Sequence, residues 1–311
     1  MEFDLGLGAA LASSLTWAVG VIAFTPLSKR HPAYIINLHR IMLALPAFLA
    51  ILLLRGDLVA SFSVITWHHF VWALVAVFAS YAFGDVLFLM AAKRIGAPAA
   101  LAIASTYPVF SALAGWAFRG EALAPSKYLG IAVVIVGTIF VILSGDSDER
   151  HFSPVQRVQD IAQRRSRWRG AHGAGIVLAF ATTLCWAMNT VAISEVGQGL
   201  DAITLNAFRL SIAIFLCPIV GILMHGRRSF KLIPAKEFFP IAPVFAIEAI
   251  GGPFLYVYGL SHAPLAIGAA LTSLAPVISV PMALALGQET FSWSKTLGVI
   301  AVVAGAWIML L

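Results

Sequence analysis

Long apolar blocks fill the chain, and polar residues interrupt them only briefly. Ten such blocks occupy residues 5–27, 33–54, 69–92, 97–118, 126–144, 174–195, 202–224, 238–260, 264–286 and 294–311. They are near-continuous rather than short and alternating, which argues for spanning helices and against barrel strands. At ~1.5 Å rise per residue most can cross a hydrocarbon layer of ~30 Å. The pattern predicts an all-α polytopic membrane protein with ten transmembrane helices.

The blocks repeat. YIINLHRI at 34–41 and ITLNAFRL at 203–210 each place Asn three residues before Arg just inside an apolar run. Trp17, Asn37 and Arg40 recur as Trp186, Asn206 and Arg209, an offset of 169. Further on the offset becomes 168, and Gly84, Ser105, Pro108, Glu121, Ser126, Gly130 and Gly137 recur as Gly252, Ser273, Pro276, Glu289, Ser294, Gly298 and Gly305. Coincident Trp, Arg, Pro, Glu and Gly at one spacing mark an internal duplication. Five helices per copy is an odd number, so the second copy is expected to cross the membrane in the opposite sense. That arrangement, two inverted-topology repeats about a pseudo-two-fold axis, recurs in secondary transporters. The predicted units are a first repeat over 1–144, a basic linker over 145–173 and a second repeat over 174–311.

Composition agrees with a membrane solvent: 60% of residues are hydrophobic and 11% charged, against about 25% charged in soluble domains. The net charge of +6 does not mark a nucleic-acid surface, because the basic residues sit in connections. Lys29 and Arg30, Lys93 and Arg94, six arginines within 145–173, then Arg227, Arg228, Lys231, Lys236 and Lys295 occupy one set of loops and their flanks. The other set and the termini hold only Arg55, Arg119 and Lys127. The positive-inside rule puts the first set in the cytoplasm and both termini outside. The acidic start MEFD, with no small-residue cleavage site after a short apolar core, predicts a retained first span. In the linker, Ser153 and Pro154 form a candidate helix start that gathers Val155, Val158, Ile161 and Ala162 on one face. Such a helix would lie on the anionic inner leaflet, the alternative being a solvated linker. Cys185 and Cys217 both fall in apolar runs, which predicts packing residues rather than a disulfide.

In its paired motifs the chain resembles the EamA-type, ten-helix members of the drug/metabolite transporter superfamily. The resemblance is carried by Thr16-Trp17 and Cys185-Trp186, by Arg40 and Arg209 early in each second helix, and by two closing segments. These are STYPVFSALAGWAFRGEALAPSKYLGIAVVIVG at 105–137 and SLAPVISVPMALALGQETFSWSKTLGVIAVVAG at 273–305. One departure, Arg119-Gly120 before Glu121 against Gly287-Gln288 before Glu289, bears on local cap geometry. The resemblance implies a monomeric bacterial inner-membrane secondary transporter with a central cavity. It also implies small-molecule cargo of a broad class: amino acids, drugs, nucleotide-sugars or organic phosphates.

Arg40 lies eight residues beyond Pro32, about 12 Å into its helix. Arginine at a helix centre costs about 2.5–3.5 kcal/mol on insertion scales, so each arginine should face the bundle or a wet cavity. Inversion of the halves predicts Arg40 towards the cytoplasm and Arg209 towards the outside, as two copies of a gate rather than one clamp. Asn37 and Asn206 are the expected local partners, and His39 a neighbouring titratable group. Asp85 and Glu248 sit on the third helices at non-equivalent positions, since Glu248 matches Ser80 and Asp85 matches Pro253. A task needing a single copy, proton coupling or substrate contact, suits that asymmetry. Trp17, Tyr81, Tyr107, Trp186, Asn189, Tyr256 and Tyr258 are candidates for an aromatic and polar cavity wall. Pro108 and Pro276 are expected to bend the fourth helices, and the paired glycines to permit close helix contact.

Enzyme signatures are poor: the chain has no G-x-x-x-x-G-K-[ST], no H-E-x-x-H and no paired acidic motif for Mg²⁺, and His68-His69 stands without clustered ligands. The sequence therefore predicts a transporter without cofactor, metal or nucleic-acid partner, with membrane lipids around it and protons as a candidate coupling ion. The leading reading is an alternating-access exporter of amino acids or related amphipathic compounds. The alternatives are an importer or translocase of an organic cation, a phosphorylated or a lipid-linked compound, and a membrane-embedded enzyme or lipid-binding scaffold.

Overall fold

A computed structural model describes residues 2–119, 125–143, 161–197, 199–227, 230–262, 265–288 and 291–308. Among them every regular element is helical. The first half begins with α1 (Glu2–Ser28), α2 (Ala33–Arg55) and the short α3 (Leu58–Ser63). Its third apolar block is α4 (Trp67–Val77) and α5 (Gly84–Ile95), joined through a π-turn over Phe78–Ala82. Its fourth is α6 (Ala97–Ala104) and α7 (Tyr107–Arg119), and its fifth is α8 (Pro125–Leu143). The second half has α9 (Ile161–Val196) and α10 (Ala202–His225), then a third block of α11 (Ala235–Phe238), α12 (Ala242–Ala246) and α13 (Gly252–His262). A 3₁₀ turn over Phe239–Ile241 and a π-turn over Ile247–Gly251 interrupt that block. It closes with α14 (Leu265–Thr272), α15 (Ala275–Ala285) and α16 (Trp293–Ile308).

Eight helical segments are long and apolar enough to cross a membrane, and two shorter apolar helices lie at Tyr128–Gly137 and Trp293–Gly305. Over its described residues each of the ten sequence blocks is thus largely helical, with the closing block of each half the shorter kind. The linker differs from expectation where it is described. Residues 161–172 continue into the membrane-length segment as one 36-residue helix, so this part of the linker does not form a separate helix. Ser153, Pro154, Val155 and Val158 fall outside the described residues, as do Glu121 and Glu289.

The fourth blocks are broken rather than bent. Turns at 105–106 and 273–274 end α6 and α14, and Pro108 and Pro276 each sit second in the helix that comes next. A proline in a first helical turn sacrifices no intrahelical hydrogen bond, so the break puts both prolines where they cost least.

The halves pack reciprocally. Helix α1 lies on α13 while α9 lies on α4 and α5; α2 meets α10, and α8 meets α16. The last crossing is very close: a Cβ on Gly137 would lie 2.6 Å from the Val302 amide and one on Gly305 2.6 Å from the Val134 amide. Small residues at such crossings admit the backbone approach on which membrane helix packing depends. The main buried apolar cluster draws Phe24, Tyr34, Phe48 and Phe88 from the first half together with Leu210, Cys217 and Phe245 from the second.

Candidate functional site

Arg40 is the centre of a buried ion cluster. Its Nε donates to Glu248 Oε2 at 2.7 Å and its Nη2 to Glu248 Oε1 at 2.5 Å, a bidentate pair. Its Nη1 donates to Asp85 Oδ2 at 2.6 Å and to Asn37 Oδ1 at 2.9 Å. Trp186 Nε1 donates to the other Asp85 oxygen at 3.1 Å. Asn37, in turn, donates from Nδ2 to the Tyr81 carbonyl at 2.7 Å. The arginine and both carboxylates are about 95% or more buried, so the cluster is stable only as a set; removing any one member strands the others. Gly20 makes room for it, because a Cβ there would lie 2.4 Å from Glu248 Cγ.

Both third blocks change register at this depth. The π-turns, Phe78–Ala82 and Ile247–Gly251, lie 169 residues apart, the same offset as the two arginines. A π-turn widens the helix by a residue and re-aims the side chains beyond it, and such turns concentrate at functional sites. Glu248 lies inside one, and Asp85 comes shortly after the other. In both halves the second helix reaches across to this irregular backbone: Asn37 binds the Tyr81 carbonyl and Asn206 the Pro253 carbonyl, the latter at 3.2 Å.

Arg209 is equally buried, at 3% exposure, and very differently served. Its Nη2 makes only long contacts, 3.4 Å to Ser80 Oγ and 3.4 Å to Asn189 Oδ1. Its Nε has no hydrogen-bond partner, and among the described residues no carboxylate lies within ion-pair reach of it. One aromatic ring links the two arginines: the Tyr81 centroid lies 5.4 Å from the Arg40 guanidinium carbon and 5.8 Å from that of Arg209.

A cavity of about 120 Å³ opens between these groups. Its wall includes Arg40, Arg209, Asp85 and Glu248, together with Trp17, Tyr81, Tyr107, Trp186, Asn189 and Tyr256. The two arginines, expected at opposite faces as separate gate elements, therefore share one cavity. The π-turns and the facing of α2 on α10 bring them to a common ring, a closeness that depth along a straight helix does not register. Asn206 bonds to the Ala202 and Pro253 carbonyls rather than to Arg209. His39 lies off the cavity, its Nδ1 2.8 Å from the Ile35 carbonyl and its ring against Phe238. Tyr258 is also elsewhere, stacked on His262 with centroids 4.0 Å apart.

Sequence reasoning missed Ser13, Ser80, Gly252, Pro253 and Thr272 in the wall. Ser80 and Pro253 were findable as the repeat partners of Glu248 and Asp85; Ser13 and Thr272 carry no signal that separates them from ordinary helix residues. The upper wall is tied across the halves, since Tyr107 donates to the Ala269 carbonyl at 2.9 Å and bonds the Thr272 hydroxyl. Trp17 and Trp186, 5.4 Å apart and edge to face, form the apolar side. Below Arg40 the bundle is filled by Phe24, packed 4.5 Å from Phe245, which in turn lies 5.2 Å from Phe238. The cavity thus joins an arginine that is fully ion-paired and one that is not to a wall of aromatic rings.

Comparisons with known proteins agree with this architecture. The sequence model of the EamA-like transporter family matches residues 4–143 and again residues 173–311. An uncharacterized transporter of Methanothermobacter thermautotrophicus is 22% identical over 237 residues, covering 76% of this chain and 63% of that protein. The match thus spans less than two thirds of that relative's length. A solved crystal structure is similar over 99% of this chain and 94% of its own, with a TM-score of 0.64 at 18% identity.

Proposed function

The chain belongs to the EamA-like transporter family, and from that premise we propose that it carries a small amphipathic metabolite through the cavity between its halves by alternating access. The membership makes it an integral, multi-pass membrane transporter rather than an enzyme. The carrying observation is the cavity itself: buried charges and aromatic rings from both halves meet in one small space. Such a space, apolar with a few converging polar groups, is what a small-molecule site requires.

In this reading the units are repeats over 1–144 and 174–311 with a basic linker between, ten spans in all, and the second repeat inverted relative to the first. Support comes from the odd helix number per copy, from the reciprocal pairing of α1 with α13 and of α9 with α5, and from the paired Gly137 and Gly305 contacts. The basic loops then face the cytoplasm, the termini face outwards, and the membrane is a bacterial inner membrane. The protein acts as a monomer exporting amino acids or related compounds, with Asp85 and Glu248 as candidate proton carriers.

The test is counterflow in proteoliposomes of purified protein. Labelled amino acid should accumulate transiently against an unlabelled load, and efflux should exceed influx in vesicles of known orientation. Chemical conversion of the solute without net flux would sink the reading.

A further inference from the structure

We propose that Arg209 and Trp17 form a seat for the carboxylate of the transported molecule, at the place where the second half lacks the acidic side chains that the first-half arginine uses. The proposal rests on the transport reading and narrows its cargo to carboxylates, amino acids among them.

The internal repeat supplies the template. Around Arg40 two carboxylates satisfy four donors: Glu248 takes Nε and Nη2, and Asp85 takes Nη1 and the Trp186 indole N–H. The repeat carries each of these positions into the other half. Arg40 becomes Arg209 and Trp186 becomes Trp17; Glu248 becomes Ser80, and Asp85 becomes Pro253. Both donors are kept and both acceptors are gone. The consequence is visible in the donors: the Nε of Arg209 and the Nε1 of Trp17 are buried with no hydrogen-bond partner. All four residues, Arg209, Trp17, Ser80 and Pro253, line the one cavity.

Buried polar groups are almost always paired, so two orphaned donors of the kinds that a carboxylate satisfies elsewhere in the same fold point to a missing carboxylate. The placement of charge agrees. Two arginines and two carboxylates balance overall, but both acids contact Arg40, and among the described residues Arg209 has no carboxylate in contact. A ligand carboxylate supplies that contact and leaves one excess negative charge in the cavity; a phosphate dianion would leave two, close to Asp85 and Glu248. The aromatic rings of Trp17, Tyr81 and Trp186 then receive the body of the molecule.

The test uses thermal unfolding of purified protein in detergent. The probes are L-leucine, L-phenylalanine, L-threonine and L-lactate, each against its primary amide, with inorganic phosphate as the other oxyanion. At least one free acid should raise the unfolding temperature, while its amide and phosphate do not. Arg209→Gln should weaken binding of that acid by about 10- to 100-fold, the worth of a hydrogen-bonded charge. Ser80→Glu supplies the absent acceptor from within. It should raise the unfolding temperature without ligand and abolish the shift by the acid.

The seat is overturned if no acid shifts the wild type, if amides or phosphate match the acids, if Arg209→Gln binds as before, or if Ser80→Glu lowers the ligand-free stability. Failure of the transport reading looks different, as an absence of counterflow for any solute in wild-type vesicles. Carrier activity that ignores the carboxylate would leave transport standing and remove only the seat.

Discussion

Arg40 keeps apart two carboxylates that burial would otherwise set against each other. Replacing it by Gln leaves Asp85 and Glu248, both about 95% or more buried, facing a neutral amide. Breaking a buried pair in this way costs about 3–5 kcal/mol, so Arg40→Gln should lose most of its resistance to unfolding in a denaturation series. Among the described residues Arg209 forms no ion pair, so Arg209→Gln should cost far less in the same series; equal losses would contradict the asymmetry between the halves. The two carboxylates are also the groups able to carry a proton through the cavity. If they do, Glu248→Gln or Asp85→Asn should abolish uptake driven by a pH gradient while leaving counterflow without a gradient measurable. Unchanged gradient-driven uptake in both variants would remove proton coupling through them. These residues were legible in the sequence because a charge inside an apolar block must be explained. Their partnerships were not, since Arg40 and Glu248 stand in opposite halves and nothing local joins them.

The elements that aim these side chains are the two π-turns, and they left no mark in the sequence. An i→i+5 register is set by what surrounds a helix, not by a residue type, so a continuous apolar block reads as plain α-helix. Deleting Ala79 removes the residue that the wide turn absorbs, so Phe78–Ala82 should close to ordinary helix with α5 left in register and counterflow retained. Inserting one alanine between Gly84 and Asp85 adds a residue to ordinary helix instead and rotates the rest of α5 by about 100°. Asp85 would then turn from Arg40, and counterflow should be lost while helical content by circular dichroism stays near wild type; loss of helix itself would mean that the insertion disturbs folding rather than aim. Helix ends have local causes. Asp201 caps α10, its Oδ1 accepting from the amides of Ile203 at 3.0 Å and Thr204 at 3.3 Å, with the Thr204 hydroxyl on its other oxygen. Burial alone would push its carboxyl up, but the Thr204 hydroxyl, the two amides and Arg55 outweigh that and hold it below the ordinary 3.8. A lowered folded value means that its contribution is present above the ordinary value and disappears as pH falls through the folded one. Asp201→Ala should therefore cost about 1 kcal/mol at neutral pH, and the gap from wild type should close only below the ordinary aspartate range. A gap that closes already between pH 5 and 7 would assign the effect to another group.

At the scale of the whole molecule the duplication was legible because rare residues recur at one spacing, and the fourth-helix breaks were half legible through their prolines. The convergence of both arginines on one cavity was not, because it depends on how two bundles face each other. That facing carries the strongest consequence for alternating access. On one side of the cavity Phe24, 5.8 Å from the Arg40 guanidinium carbon, packs on Phe245, and near them a polar contact joins the halves. Glu237 Oε2 lies 3.0 Å from Arg30 Nη1 and 3.1 Å from His31 Nε2. A solvent-accessible contact of this kind holds little energy, which suits a contact that must open in every cycle. If the halves exchange conformations, these two positions separate when the Phe24 end opens. A protein carrying Cys185→Ala, Cys217→Ala, His31→Cys and Glu237→Cys, bridged by a short thiol cross-linker, should be fixed with this end closed. It should still bind a carried solute from the opposite side, but counterflow should stop and return when the bridge is reduced. Counterflow that persists through the intact bridge would mean that this end does not open during transport, and the exchange of halves would then have to be abandoned.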